Sequence, residues 1–273
     1  MIWIKGAGKQ MRPFAFTVVE INGRPPAAAD LIPIVMINYG HTSSMEIRSG
    51  RVRGLDLHLH RLDTASKELF GLDLDGDRVR DYLRSALTHV DGDASARVVV
   101  FQPHPDVAAL SVLVGLRKPT PTPAGPWRLR SAEHGRAAAH LKHVGSFGSV
   151  YLHRQAKETG FDETVLVDAD GVIAEGAITN VGFLDGGTVI WPTAPALNGI
   201  TQQLVRRQLT AAGVPMIDRR VRLTDVPSFD GAFLTNSWGV IPVSAVDDHA
   251  VPLGNPLADA IIRRYGQTPF DLI

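Results

Sequence analysis

A lysine in an otherwise apolar stretch is the first residue of this sequence with the potential for covalent chemistry. Lys142 follows Leu141 and precedes the pair His143-Val144. Burial and neighbouring positive charge keep a lysine amine unprotonated, and an unprotonated amine attacks carbonyl groups to form an imine, or Schiff base. Lys142 is therefore a candidate nucleophile, and a surface lysine at the start of a helix is the structural alternative.

A carboxylate follows 33 positions later, at Glu175. It lies where a predicted strand meets Gly176, within the segment Ala174-Glu-Gly-Ala-Ile-Thr-Asn180. A carboxylate that is buried at such a position requires a hydrogen-bonding or charged partner, because an unpaired buried charge is very costly. A solvated glutamate on an edge strand is the alternative.

The segment Leu197-Asn-Gly-Ile-Thr201 is predicted to begin a helix, with Thr201 as its N-terminal cap. Gly199 allows close approach of the backbone to a ligand. The free backbone N–H groups and the positive end of the helix dipole make such a turn a candidate anion site. The candidates to add a cation or a hydroxyl group to this site are Arg61, Thr235 and Ser237.

Other motifs are weaker. Gly6-Ala-Gly-Lys9 lacks the spacing and the hydroxyl residue of a nucleotide-binding loop, and Gly145-Ser-Phe-Gly148 is too short for a dinucleotide fingerprint. His58 and His60, and likewise His140 and His143, lack further ligands at metal-binding spacing, so no metal site is predicted. The chain also lacks a Gly-x-Ser-x-Gly elbow and contains no cysteine, which excludes thiolate chemistry.

The elements that would position the candidate residues flank a proline-rich segment at residues 115–126, which has the composition of an interdomain linker. The elements predicted before it are a strand at Phe16–Asn22, a hairpin of Ser44–Arg48 and Val52–Leu55, helices through Leu57–Phe70 and Asp77–Thr88, and strands at Arg97–Phe101 and Leu110–Leu116. Those after it are strands at Trp127–Ser131, Glu163–Asp168, Val181–Leu184 and Val189–Trp191, and helices at Ser149–Glu158, Thr201–Ala212 and Pro256–Arg264. Strands and helices mix without strict βαβ alternation, which predicts a mixed α/β (α+β) fold.

Composition narrows the class of protein. The 273 residues include 28 Lys+Arg and 28 Asp+Glu, so the formal net charge is zero. Binding to nucleic acid or to an anionic membrane through overall positive charge is therefore not expected. The apolar runs are far shorter than the roughly 20 residues needed to cross a bilayer. We therefore expect a cytoplasmic protein, and Met11 is an alternative start that would make residues 1–10 an upstream extension.

Taken in order, the motifs resemble the class IV, fold-type IV family of pyridoxal-phosphate (PLP) enzymes, which includes branched-chain and D-amino-acid aminotransferases and aminodeoxychorismate lyase. The motifs that carry the resemblance are Asn38-Tyr-Gly-His41, His58-Leu-His-Arg-Leu62, His140-Leu-Lys-His143, Ala174–Asn180, Leu197–Thr201 and Phe233-Leu-Thr-Asn-Ser237. The resemblance implies two domains, residues 1–120 and 121–273, with the site in the cleft between them. It also implies a homodimer in which a loop of the partner subunit completes the substrate pocket.

The resemblance further implies roles for individual residues. Lys142 would hold the aldehyde of the cofactor and shuttle a proton, and Glu175 would face the pyridine nitrogen. The residues implied to bind the cofactor are Arg61, Lys142, Glu175, Thr179, Asn180, Gly199, Ile200, Thr201 and Ser237. The activity implied is transfer of an amino group between an amino acid and an α-keto acid. A β-eliminating aminodeoxychorismate lyase and a non-catalytic relative that binds PLP or an amino acid are the alternatives.

Several positions depart from the family pattern. Gln202 follows the Gly-Ile-Thr turn, where relatives often carry arginine, and Ser44-Met45-Glu46 replaces an aromatic-acidic pair that lines the substrate pocket. Phe147 stands five residues after the lysine, where branched-chain enzymes often have tyrosine, which weakens the case for branched-chain activity. The candidates for binding the substrate carboxylate are Arg48, Arg97, His104 and Arg128.

Overall fold

Two β-sheets, with helices packed against each, form the framework of the computed structural model, which describes residues 16–273. The expectations about residues 1–10 and Met11 lie outside the described residues. The first sheet has the strand order β1-β5-β4-β2-β3-β15. Its strands are β1 (Val18–Ile21), β2 (His41–Arg48), β3 (Arg51–Val52), β4 (Ala94–Phe101), β5 (Ser111–Arg117) and β15 (Asp271–Leu272).

The second sheet has the order β11-β10-β9-β12-β13-β6-β7-β8, with β14 paired to β13. Its strands are β6 (Trp127–Glu133), β7 (Glu163–Val167), β8 (Ile173–Gly176), β9 (Asn180–Asp185), β10 (Thr188–Pro192), β11 (Met216–Arg219), β12 (Gly231–Asn236), β13 (Gly239–Val246) and β14 (His249–Ala250). Pairs β10–β11, β6–β13 and β6–β7 are parallel and the other pairs are antiparallel. This is the mixed α+β architecture that the sequence predicted.

The helices are α1 (Ala28–Ile37), α2 (Leu55–Phe70), α3 (Gly76–Leu87), α4 (Phe147–Glu158), α5 (Ile200–Ala211) and α6 (Pro256–Gly266). Local chemistry fixes their ends. The Asp75 side chain accepts hydrogen bonds from the first turn of α3, and Asn255 caps α6 just before Pro256. Gly71, in the left-handed region at φ 67°, ends α2. Within residues 16–273, no helix is long and apolar enough to span a bilayer.

The C-terminal residues return to the first sheet and so tie the two halves of the chain together. The Arg53 guanidinium donates to the carbonyl groups of Gly266 and Thr268 and lies 4.2 Å from the ring centroid of Phe270. The Asp271 carboxylate accepts from the backbone N–H of Leu55, at the start of α2. The last strand therefore fixes the position of α2 relative to the second sheet.

Several elements differ from the predictions. Leu55 begins α2 instead of ending a strand, because Gly54 adopts φ 67° and interrupts the extended backbone. Helix α1 is absent from the predictions, since Pro33 and an unbroken apolar composition give no helical periodicity. The strand predicted to end at Gly176 is β8, and the additional strands β11, β12 and β13 complete the second sheet.

Candidate active site

A cavity of about 880 Å³ lies between the two sheets. Twelve of the predicted site residues line it: Arg48, Arg61, Arg97, Lys142, Glu175, Thr179, Asn180, Gly199, Ile200, Thr201, Thr235 and Ser237. Helix α2 and strands β2 and β4 supply the residues from the first half of the chain. The second sheet, helix α5 and the segment before α4 supply the others.

The backbone around Lys142 is fixed by the first sheet. The carbonyl group of Lys142 accepts a hydrogen bond from the N–H of Thr42 at 2.8 Å, and the N–H of Val144 donates to the carbonyl of Gly40 at 2.9 Å. These bonds extend the start of β2 across the cavity. The two bonds fix the backbone on either side of the lysine by joining it to residues about a hundred positions away. The sequence pattern did not indicate this pairing.

The electrostatic surroundings of Lys142 favour the neutral amine. Burial, and after it the positive charges of Arg61, Arg97 and Arg136, lower the pKa of its ammonium group from 10.5 to about 7, against the opposing effect of Glu175. About half of the amines are therefore unprotonated near pH 7. This is the state that a nucleophilic lysine requires.

Glu175 has a partner that sequence reasoning missed. The Nε of Arg136 donates to Oε1 of Glu175 at 2.7 Å, and the N–H of Leu197 donates to Oε2 at 3.1 Å. Arg136 also donates to the carbonyl groups of Ala139 and Leu141. Because it binds both the carboxylate and the turn before the lysine, Arg136 fixes the two groups relative to each other. Glu175 and Arg136 are 39 positions apart, and the run Arg-Ala-Ala-Ala gave no signal of the pairing.

The start of α5 forms one end of the cavity. Gly199, and not Thr201, is the N-cap of the helix, which corrects the sequence prediction. Thr201 lies in the first turn, and its hydroxyl donates to the carbonyl of Asn236 at 2.6 Å, which joins α5 to the end of β12. Side chains at residue 199 are excluded, since a Cβ there would lie 2.0 Å from Oδ1 of Asn180. The side chain of Asn180 donates to the carbonyl of Leu197, so it shapes the turn.

Unsatisfied polar atoms gather at this end of the cavity. Nε of Arg61 and the hydroxyl groups of Thr179 and Thr235 are buried without a hydrogen-bond partner among the described residues. Burial lowers the pKa of the Arg61 guanidinium to about 10. Buried polar groups are nearly always hydrogen-bonded. These atoms therefore indicate a ligand whose anionic oxygen atoms accept hydrogen bonds from the guanidinium and the hydroxyl groups. The free N–H groups at the start of α5 are further donors to such a ligand.

The opposite wall of the cavity is polar, because every second side chain of strand β2 points to the same face of the sheet and these side chains are polar. Ser44, Glu46 and Arg48 occupy alternate positions of β2, and Arg97 lies opposite Ser44 in the β2–β4 register. No carboxylate pairs with Arg97 in the part of the chain that the structure describes. Burial and then the charge of Arg117 lower the pKa of Arg97. Arg48, in contrast, lies 3.8 Å from Glu46 and 3.5 Å from Asp93.

The structure places two of the carboxylate candidates outside the cavity. His104 lies on the loop between β4 and β5, 3.5 Å from Asp106. Arg128 lies over the ring of Phe161. Phe147, which stands where branched-chain enzymes often have tyrosine, is 81% exposed and stacks on Tyr151 outside the cavity.

The family model of class IV aminotransferases matches residues 40–246, which are most of the chain and include the cavity residues named above. The chain belongs to the class IV aminotransferase family. The sequence resemblance is thereby confirmed.

The proteins that this class IV aminotransferase resembles are named for different activities. A probable branched-chain-amino-acid aminotransferase of Rickettsia felis is 32% identical over 123 residues, 42% of this chain and 41% of that protein. The chain thus spans about two fifths of the length of this relative. A hypothetical Mycobacterium tuberculosis aminotransferase in its PLP-bound form has a TM-score of 0.79 at 19% identity, covering 92% of this chain and 98% of that one. A putative Legionella pneumophila 4-amino-4-deoxychorismate lyase has a TM-score of 0.80 at 18% identity, covering 90% and 96%. These two likenesses show the fold.

Proposed function

We propose that the protein is a PLP-dependent aminotransferase that moves an amino group between an amino acid and an α-keto acid through Lys142. The observation that carries the proposal is the presence, in one cavity, of a lysine amine with a lowered pKa, an anchored carboxylate and a helix N-terminus. The family membership and the PLP-bound M. tuberculosis neighbour support the choice of cofactor.

The donors around the cavity fit this cofactor. Arg61 and the first N–H groups of α5 would hold its phosphate, and Glu175 would accept a hydrogen bond from its ring nitrogen. Thr235 and Ser237 would supply hydroxyl groups. When bound, PLP supplies a conjugated ring that takes up the electron pair released as the Cα–H bond of an amino acid breaks.

The residues of the chain perform the remaining work. With PLP bound, the amine of Lys142 would hold the cofactor and would move a proton at Nζ between the Cα of the amino acid and the cofactor. Arg136 holds the Glu175 carboxylate in place through the hydrogen bond from its Nε to Oε1. The charged groups act without large rearrangement, because hydrogen bonds already fix their positions.

A screen of amino donors and keto-acid acceptors tests the activity. An aminotransferase requires both substrates for turnover and releases a new keto acid from the donor. Release of pyruvate from aminodeoxychorismate without an acceptor would instead identify the lyase. Binding of PLP without turnover of any donor would identify a non-catalytic relative.

We infer that Arg97 binds the carboxylate of the substrate. It faces the cavity, it has no carboxylate partner among residues 16–273, and burial favours its pairing with an anion. Replacing Arg97 with Gln removes a charge-assisted bond, so we expect KM for the keto acid to rise about 10- to 100-fold with a smaller change in kcat. Steady-state kinetics measure both constants.

Arg48→Gln is the matched control, because Arg48 lines the same wall but already lies near Glu46 and Asp93. We expect its KM to change several-fold less than that of Arg97→Gln. Equal effects of the two substitutions, or a larger effect at Arg48, would contradict the assignment of Arg97.

We infer that α1 forms the interface of a homodimer. The helix has no buried residue, and Ile32, Val35, Met36 and Ile37 are 57–77% exposed. On its other side, Leu31 and Ile34 pack against the buried cluster of Ile21, Val99 and Phe101, against which Val144 also packs. A contiguous exposed apolar surface of this kind marks an interaction site. A second copy fits because the family resemblance implies a pocket completed by a partner subunit.

Met36→Glu places a charge on this surface and should convert the dimer to a monomer, which sedimentation velocity measures. Leu253→Glu is the control, since Leu253 is a comparably exposed residue (56%) on the loop before α6. A wild-type protein that is monomeric at micromolar concentration would contradict the proposal.

A further inference from the structure

Two serine–histidine hydrogen bonds join helix α2 to strand β2. Oγ of Ser43 lies 2.7 Å from Nδ1 of His58, and Oγ of Ser66 lies 3.0 Å from Nε2 of His41. All four side chains are buried. The two pairs look alike as structural contacts, but only His58 lines the cavity.

His58 lies one helical turn before Arg61, so the two residues share a face of α2. Both line the cavity, and Leu57, next to His58, packs against Ile200 and Leu204 at the start of α5. Since Nδ1 of His58 is occupied by Ser43, the nitrogen left for the cavity is Nε2. Arg61 and the free N–H groups at the start of α5 are already hydrogen-bond donors for an anion there.

The ring of His58 is neutral. Burial lowers its pKa well below 6.5, and the charges of Arg61 and Lys142 lower it further. A neutral imidazole carries one N–H, and the partner of one nitrogen decides which nitrogen bears it. If the Ser43 hydroxyl donates to Nδ1, the hydrogen lies on Nε2, where it is available to an anionic ligand.

We propose that His58 is a further ligand of the cofactor phosphate, donating from Nε2, and that Ser43 fixes the tautomer that makes this possible. The proposal rests on the proposed function, because it requires PLP in the cavity. It explains why a histidine is buried beside the Arg61 cation, where a neutral donor adds affinity for an anion without further repulsion.

Two substitutions of His58 separate the two ring nitrogens. The amide of Asn reaches about as far as Nδ1, and the amide of Gln reaches about as far as Nε2. We expect His58→Asn to weaken the Kd of the apo-protein for PLP about tenfold, and His58→Gln to stay within about threefold of wild type. Affinity for pyridoxal, which lacks the phosphate, should be the same in all three proteins.

Ser43→Ala and Ser66→Ala form a second matched pair. Both remove one hydroxyl between β2 and α2, so both should lower thermal stability. Only Ser43→Ala should weaken PLP binding, by several-fold, with pyridoxal unaffected. Equal effects on PLP and pyridoxal, or equal effects of the two serine substitutions, would overturn the phosphate role and leave a structural one.

Nitrogen-15 NMR of the folded wild-type apo-protein decides the tautomer even if His58 variants fail to fold. We expect a hydrogen on Nε2 of His58 and a change in its shift when inorganic phosphate is added. A hydrogen on Nδ1, or no response to phosphate, would contradict the proposal. Failure of the proposed function is distinct, since wild-type protein would then turn over no amino donor with any keto acid, whether or not it binds PLP.

Discussion

Replacing Lys142 with Ala should lower the aminotransferase rate by roughly 10²–10⁴-fold or more, the range contributed by a positioned general acid–base group. The substitution removes both the amine that bonds to the cofactor and the group that carries the Cα proton. The rate is measured with excess PLP, so that a loss of affinity alone cannot account for the result.

Lys157→Ala is the control for this substitution. Lys157 lines the same cavity, but its ammonium group lies over the ring of Trp127, 5.5 Å from the ring centroid. We expect this variant to keep most of the wild-type rate. If the two lysine variants lose activity equally, or Lys142→Ala remains active, another residue performs the proton transfer.

The lowered pKa of Lys142 gives a pH dependence. Below about pH 7 the ammonium form dominates and cannot attack a carbonyl carbon, whereas above it the amine is neutral. The rate at which apo-protein forms its covalent bond to PLP should therefore rise about tenfold per pH unit below 7 and level off above it. An unperturbed lysine would show a rate that still rises at pH 9.

The second large effect is expected at Glu175. Glu175→Gln keeps the shape of the side chain but removes the charge that stabilises a protonated ring nitrogen. A hydrogen bond to a charged group contributes about 1.5–3 kcal/mol, so turnover should fall roughly 10- to 100-fold while the covalent bond to PLP persists. Single-turnover kinetics with a donor amino acid measure the loss.

The same change leaves Arg136 beside a neutral amide, and breaking a buried ion pair destabilises a protein by about 3–5 kcal/mol. Thermal unfolding of the variant must therefore be measured, and kinetics must be taken well below its Tm. Glu158→Gln, at the exposed rim of the cavity, should change neither property. Unaltered turnover in folded Glu175→Gln protein would exclude the role at the ring nitrogen.

More of the residues that line the site than of the contacts between them could be predicted from the sequence. Lys142, Glu175 and Gly199 could be predicted because their neighbours in the chain suffice to suggest burial, a strand end and a helix start. The mixed α+β class followed from the local patterns in the same way. Element boundaries such as Gly54 and the cap of α5 depend on backbone angles that composition alone does not fix.

What the sequence did not reveal depends on contacts between distant positions. Arg136 meets Glu175 only when the turn before Lys142 lies against β8, and the bond from Thr42 to Lys142 joins residues 100 positions apart. Among the four carboxylate candidates, only the sheet register distinguishes Arg97, which faces the cavity, from His104, which does not.

One measurement tests the central claim most directly. Wild-type protein is incubated with PLP, reduced with borohydride to make any lysine–cofactor bond permanent, digested, and mapped by mass spectrometry. The account predicts a single modified peptide with the cofactor on Lys142, and the same peptide unmodified when borohydride is omitted. Modification at another lysine, or none under saturating PLP, would contradict it.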